Sequence, residues 1–232
     1  IFASFVFQAS DVLTFEGGLT AEYSQIEVDS VNNQKQDFSF LKPRISSTYK
    51  FSAQDQLSVE LAHSVGQLNF GDFATSNEAF DGITNTGNSN LMPDQTTELA
   101  ATYDWSLSER GSLKVKVFHQ WRKDVLEQVV IGRNESSEDD NNTLAYGLGN
   151  AGSARFWGVE TDINLPLDFL LSDSLLEISH SYQDSNFYDQ IIKEDRNINN
   201  YVPNALEMNF RQDFIEKGLA WGLGYSSDTL NK

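Results

Sequence analysis

GNSNLMPDQTTELAATYDW, residues 87–105, joins two unlike halves, and the question of fold class turns on the second. Its first half is a polar, Gly/Asn-rich loop that closes at Pro93. Beyond it, Leu99, Ala101, Tyr103 and Trp105 alternate with Glu98, Thr102 and Asp104. A two-residue period marks a β-strand with one apolar and one polar face, because successive side chains point to opposite sides of a sheet. A strand in a soluble sandwich carries this pattern, and so does a strand whose apolar face meets lipid. The rest of the chain has to separate the two.

Of the 232 residues 39% are hydrophobic, and mean hydropathy is −0.42. No apolar run approaches the roughly 20 residues that a spanning helix needs. A β-barrel is untouched by that exclusion, since its strands are apolar only at every second position. The net charge of −18 repels phosphate backbones, which argues against nucleic-acid binding. With no cysteine, disulfides, thiolate zinc sites and cysteine nucleophiles are all excluded. The opening IFASFVFQAS has no basic n-region, so it is not a signal peptide, and it already alternates like a strand. Both termini are expected to be cuts through a longer protein.

No segment sustains a 3.6-residue period. Alternation predicts strands near 1–8, 12–28, 37–51, 56–69, 96–106, 111–131, 153–165, 174–184, 204–214 and 219–227. The links between them are short and long by turns. Ala9–Asp11, Ser52–Asp55, Leu107–Arg110, Pro166–Asp173 and Ile215–Gly218 are the shorter set. Asp29–Gln36, Phe70–Gln95, Gly132–Gly152 and Ser185–Pro203 are the longer. Hairpins with all short turns at one end and all long loops at the other have the layout of an outer-membrane barrel. A Greek-key sandwich crosses between sheets and does not sort its loops this way.

Aromatic positions point the same way. Phe5, Phe7, Phe15, Tyr49, Phe51, Tyr103, Trp105, Phe214 and Trp221 cluster beside the short turns, as an interfacial girdle would. The opposite parity carries ionised carboxylates strand after strand, which suits a wet lumen. His63, His119 and His180 fall on the apolar parity at similar depth. They are too scattered for a metal site and fit the edge of the apolar band or a subunit contact.

Two tempting motifs lack their context. GLGNAG at 147–152 matches a dinucleotide fingerprint, but strand periodicity follows it where a helix is required. The acidic run within residues 135–142, SSEDDNN at its core, lacks the ligand spacing and central Gly of an EF-hand. No Ser/His/Asp arrangement stands out, and carboxylate pairs are expected by chance among 34 Asp and Glu residues. Neither enzyme chemistry nor a cofactor is predicted.

Several segments, in order, resemble the barrel of TonB-dependent outer-membrane receptors. Gly87, Asn88, Leu91, Pro93, Asp94, Thr97 and Glu98 match that family's Gly-Asn-x-x-Leu-x-Pro-(Glu/Asp) loop and the strand after it. SLKVKVFHQWRKDVLEQVV, residues 112–130, is similar to the following strand. Asn150, Gly152, Gly158, Val159 and Glu160 fit the Asn-x-Gly…Gly-(Val/Ile)-Glu segment, and NNYVPNALEMNFRQDF resembles a late return strand.

The resemblance implies an all-β, antiparallel, up-and-down transmembrane barrel. Residues 1–232 would be a partial receptor barrel supplying ten of about 22 strands, without the plug domain, TonB box or first barrel strands. It further implies a Gram-negative outer membrane and uptake of a scarce nutrient of the siderophore–iron, cobalamin or carbohydrate class. Its partners would be outer-membrane lipid, the TonB system, the plug and the small-molecule ligand. Long loops would form the outer mouth, with Asn69, Asp72, Phe73, Tyr146, Arg155 and Tyr188 as candidate ligand contacts. A passive porin-like channel and a soluble or surface β-sandwich used in binding or adhesion are the competing readings. The free edges of a ten-strand piece are expected to pair with further protein.

Overall fold

A computed structural model of the chain describes residues 1–28, 34–68, 88, 90–134, 143–189, 192–198 and 201–229. Strands β1 (Phe2–Gln8), β2 (Leu13–Val28), β3 (Gln34–Lys50), β4 (Asp55–Val65), β5 (Gln95–Ser106) and β6 (Ser112–Lys123) pair antiparallel in chain order. Next, β7 (Leu126–Asn134) and β8 (Thr143–Asn150) form a hairpin of their own, and β9 (Ala154–Pro166) returns to pair with β6. The sheet ends with β10 (Ser174–Asp189), β12 (Asn204–Phe214) and β13 (Leu219–Thr229), while short β11 (Glu194–Arg196) pairs the far end of β10. A 3₁₀ turn, Ile215–Lys217, closes the last hairpin at Gly218, whose φ of 61° suits glycine.

The ten strands of the main path correspond one to one with the ten read from alternation. The boundaries differ most at three places, the first being β10, which runs on to Asp189 where alternation ended it at 184. β4 stops at Val65, where alternation extended it to 69. The segment 111–131 is not one strand: it breaks at Asp124, which adopts φ 58° and sends the chain out of the sheet. Asp is one of the few residues that tolerate this left-handed conformation.

Register fixes the two faces. Leu57, Tyr103, Val115 and Thr161 are aligned across β4, β5, β6 and β9, with Leu61, Leu99, His119 and Trp157 in another row above them. Between these rows lies a continuous apolar surface, and it has no cover: Leu61 and Leu99 are 44% and 43% exposed and Val117 50%, and on β13 Leu223 is 67% exposed. Among the described residues no second sheet of comparable size lies on it. That contradicts the sandwich alternative, which requires a sheet packed face to face about 10 Å away. An apolar surface this large belongs against another apolar phase.

Aromatics mark both ends of that surface. At the short-turn end Tyr49 and Phe51 sit edge to face at 5.0 Å, and Phe210 lies 5.2 Å from Trp221. A second group, not anticipated from the sequence, stands toward the long loops: His119 and Trp121 at 4.5 Å, Trp157 and Tyr182 at 5.5 Å. Along β6, Leu113 and Trp121 bracket the band; at about 3.3 Å per residue and a tilt near 40° that is roughly 20 Å of height. The three histidines lie in its upper part. His63 bonds Thr97 Oγ1 at 3.0 Å and His180 bonds Asn204 Oδ1 at 2.9 Å.

The short turns are tight and self-satisfied. The Ala9 N–H donates to the Leu13 carbonyl at 2.9 Å, Phe51 to Asp55 at 3.1 Å and Leu107 to Gly111 at 2.9 Å. Between neighbouring turns the Arg110 guanidinium forks onto both oxygens of Asp168, at 2.6 and 2.5 Å. These bonds hold the Asp168 carboxyl below its ordinary range. β1 and β13 each have a single neighbour among the described residues, so the sheet is open.

Candidate functional site

The face opposite the apolar band is ionic. Glu22 pairs with Lys42 across β2 and β3, and Arg44 Nε donates to Glu60 at 2.6 Å across β3 and β4. Lys116 stands between Glu98 at 3.1 Å and Glu160 at 3.7 Å. Higher on the wall, Gln120 donates to Glu98 at 2.6 Å and accepts from Arg122 at 2.7 Å. Apart from the Arg122–Gln120 bond within β6, each link joins adjacent strands on one face, where cross-strand and diagonal neighbours come within reach. Such charges are stable only in contact with water or with one another, so this wall lines an aqueous space.

At the long-loop end the wall turns into a structured mouth. The β7–β8 hairpin folds back over the inward face and buries Val125 against Ala154, Phe156, Phe187 and Ile198, with Ala151 and Tyr201 packed alongside. Arg122 lies over Phe156, its guanidinium carbon 4.0 Å from the ring centre. Arg196 on β11 reaches Asp189 at 2.7 Å and Glu127 of the hairpin at 3.3 Å. Glu127 and Asp189 are 5% and 9% exposed, so a buried ion triad ties hairpin, β10 and β11 together.

A second clip uses an amide. Asn150 accepts the Met92 N–H at 2.8 Å and donates to the carbonyls of Met92 and Asp124, both at 2.8 Å. Asn88 donates to the Leu148 carbonyl at 3.2 Å, and Leu91 beside it is fully buried. The Asn-x-x-Leu-x-Pro loop and the Asn-x-Gly segment, far apart in sequence, thus fasten one to the other. Gly152 has φ 118°, a conformation open to glycine alone, where β8 turns into β9. Gly158 has no room for a side chain: a Cβ would lie 2.5 Å from the Tyr182 carbonyl and 2.6 Å from the Phe118 ring.

The candidate ligand contacts fall in different places. Asn69, Asp72 and Phe73 lie outside the described residues, as does the acidic run 135–142. Tyr146 is on β8, aligned with Val130 in the mouth hairpin. Arg155 and Tyr188 sit elsewhere: both share the parity of Trp157 and face away from buried Ala154, Phe156 and Phe187. They line a groove of about 580 Å³ on the outward surface, with His63, Trp121 and Lys123. GLGNAG runs through β8 into β9 with no helix following. Among the described residues, no three metal-capable side chains converge.

The elements that sequence reading missed are the hairpin and its clips. One local signal marks the break: apolar parity holds at 113, 115 and 117, then loses phase at Val125–Leu126. Nothing local announces the partners of Asn150 or Arg196.

Over residues 1–231 the chain matches the family model described as TonB dependent receptor-like, beta-barrel. No curated protein matches it. Similar solved structures include the alcaligin outer membrane receptor FauA from Bordetella pertussis, with TM-score 0.65 and 12% identity over 99% of this chain and 37% of that one. The FrpB iron transporter from Neisseria meningitidis (F3-3 variant) gives 0.63 and 14% over 95% and 31%. The copper transporter OprC gives 0.64 and 13% over 90% and 31%. At such identities the likeness is one of fold, and the chain spans about a third of the length of these structures.

Proposed function

This chain belongs to the TonB dependent receptor-like β-barrel family, and on that premise we propose that it forms the wall and mouth of a Gram-negative outer-membrane receptor. That receptor would import a scarce nutrient of the siderophore–iron, cobalamin or carbohydrate class, drawing energy through the TonB system. Residues 1–232 would be the later part of the barrel, their free edges continued by further strands and their ionic face turned to a plug domain. Long loops would face the cell exterior and short turns the periplasm, as in outer-membrane barrels generally.

The observation that carries the reading is the pairing of two opposite surfaces on one sheet. An uncovered apolar band with aromatics at both margins lies outside. A charged wall lies inside, crossed at one end by a latched hairpin. The band supports lipid contact, and the wall supports a polar path. A clipped, partly roofed mouth supports selective capture better than free diffusion through an open pore. Asn69, Asp72, Phe73 and Tyr146, in or near the long loops, are the proposed ligand contacts.

The test is growth and uptake in the source bacterium. With the receptor gene deleted, radiolabelled ferric siderophores, cobalamin and oligosaccharides are offered in turn at limiting concentration. The proposal expects uptake of one class to vanish, and to vanish equally on deletion of TonB. Uptake that persists without TonB and without a proton gradient would identify a passive channel instead.

A further inference from the structure

The outward groove beside β6 and β9 is out of character with the surface around it. Between the two aromatic margins the outward parity carries no ionised side chain on β4, β5, β6 or β9. Immediately above the upper margin, two cations appear side by side. Trp121 is aligned with Arg155, which places Lys123, two residues further along β6, diagonal to Arg155 on the same face. Both are exposed. Neither forms an ion pair among the described residues, although the chain carries a net charge of −18. Asp184, the diagonal neighbour of Arg155 on β10, faces the same way, and its side chain takes the Ser185 N–H at 3.0 Å. Asp124 is occupied by Gln95 Nε2 at 3.2 Å.

We propose that this groove binds the phosphorylated headgroup of an outer-leaflet glycolipid, with Lys123 and Arg155 on the phosphate. The inference rests on the membrane orientation given above. The groove holds about 580 Å³, which accommodates a phosphorylated sugar. Lys supplies a compact charge and Arg a planar fork, the two usual ways of gripping phosphate. Thr97, Ser153 and Asn186 add hydroxyl and amide groups around them. Trp121 and Tyr188 are 43% and 52% exposed at its rim, where amphipathic rings meet the start of the acyl chains. Height is what selects a lipid over a soluble anion. The two cations stand one step above the apolar band, where a headgroup phosphate lies when its acyl chains cover Val117 and Leu99. Arg155 and Tyr188 are thereby assigned to lipid rather than to the transported ligand.

Native mass spectrometry of the full-length receptor, delipidated in nonionic detergent, tests this. The probes are lipid A, a phosphate-free glycolipid with the same acyl chains, and inorganic phosphate as competitor. Wild type should retain lipid A, and the Lys123→Gln/Arg155→Gln variant should bind it about tenfold more weakly or worse. Lys42→Gln/Lys114→Gln, which removes two inward-facing cations, should bind like wild type. Millimolar phosphate should not displace the lipid. Heat-modifiable mobility in gels establishes that each variant keeps its barrel. Equal retention by the groove variant, equal binding of the phosphate-free glycolipid, or displacement by free phosphate would each overturn the proposal. Loss of TonB-dependent uptake is not read in this assay, so failure of the transport reading and failure of the lipid site are separately visible.

Discussion

Replacing Asn150 with Ala should unfasten the loop at 88–94 from the hairpin while leaving the barrel wall intact. The amide makes three bonds, one from the Met92 N–H and two to the carbonyls of Met92 and Asp124, each 2.8 Å long. At roughly 1 kcal/mol net per bond, their joint loss costs the closed loop about 2–3 kcal/mol. The Met92 amide reports this directly, because it donates to the Asn150 oxygen. Hydrogen exchange of that amide should therefore accelerate roughly 30- to 150-fold, at 1.4 kcal/mol per tenfold. Asn88→Ala removes a single longer bond to Leu148, of 3.2 Å, and an internal turn bond to the Asn90 N–H, so its effect should be smaller. Exchange is followed by mass spectrometry on full-length protein in detergent, with peptides from β5 and β6 as internal controls. Unchanged exchange over 88–95 in Asn150→Ala would refute the clip. Equal acceleration in β5 and β6 would show that the residue supports the wall instead.

Three further outcomes follow from the same geometry. Arg196→Met strips the cation from between Glu127 and Asp189, leaving two carboxylates nearly buried; the mouth should lose about 3 kcal/mol, read as faster exchange over 126–134 and 143–150. Gly158→Ala forces a methyl group against the Tyr182 carbonyl and the Phe118 ring; about 1–3 kcal/mol of stability should go, and Phe118→Leu should restore only part of it because the carbonyl contact remains. A lowered temperature of gel heat-modifiability in Gly158→Ala alone, partly recovered in the double variant, checks this. Asp168 has its pKa held down mainly by the hydrogen bond from Arg110, so its pairing is complete at neutral pH and fades as pH falls through the folded-state value. Asp168→Asn should flatten the acid limb of a stability–pH profile of the short turns, leaving the neutral region lower; an unchanged acid limb would mean the pairing contributes nothing.

What could be read from the sequence was what repeats. Period-two alternation and the short–long rhythm of loops are local signals, and they located all ten strands of the main path. The lower girdle was legible because Tyr103 and Trp105, like Tyr49 and Phe51, sit next to recognisable turns. The upper one was not, since no recognisable turn adjoins Trp121, Trp157 or Tyr182 in the sequence. Arg155 was expected at a ligand because it follows a long loop; register with Trp121 puts it on the other face. The hairpin was hidden because the apolar run Val129–Ile131 still reads as strand, and the loss of phase at Val125–Leu126 was the one local mark of the change of direction at Asp124. Asn88 and Asn150 carry a family motif whose purpose is a contact across the mouth, and such long-range pairing has no sequence period to reveal it.

The central claim is that one face of this sheet meets lipid and the other meets water. Since the chain lacks cysteine, single cysteines can be placed along β5 from 97 to 105, spin-labelled and reconstituted with the full-length receptor in liposomes. Oxygen and a water-soluble nickel chelate then compete as relaxation agents at each position. The labels at 99, 101 and 103 should be relaxed by oxygen and shielded from nickel, with those at 98, 102 and 104 showing the reverse. Nickel accessibility at both parities would contradict the account.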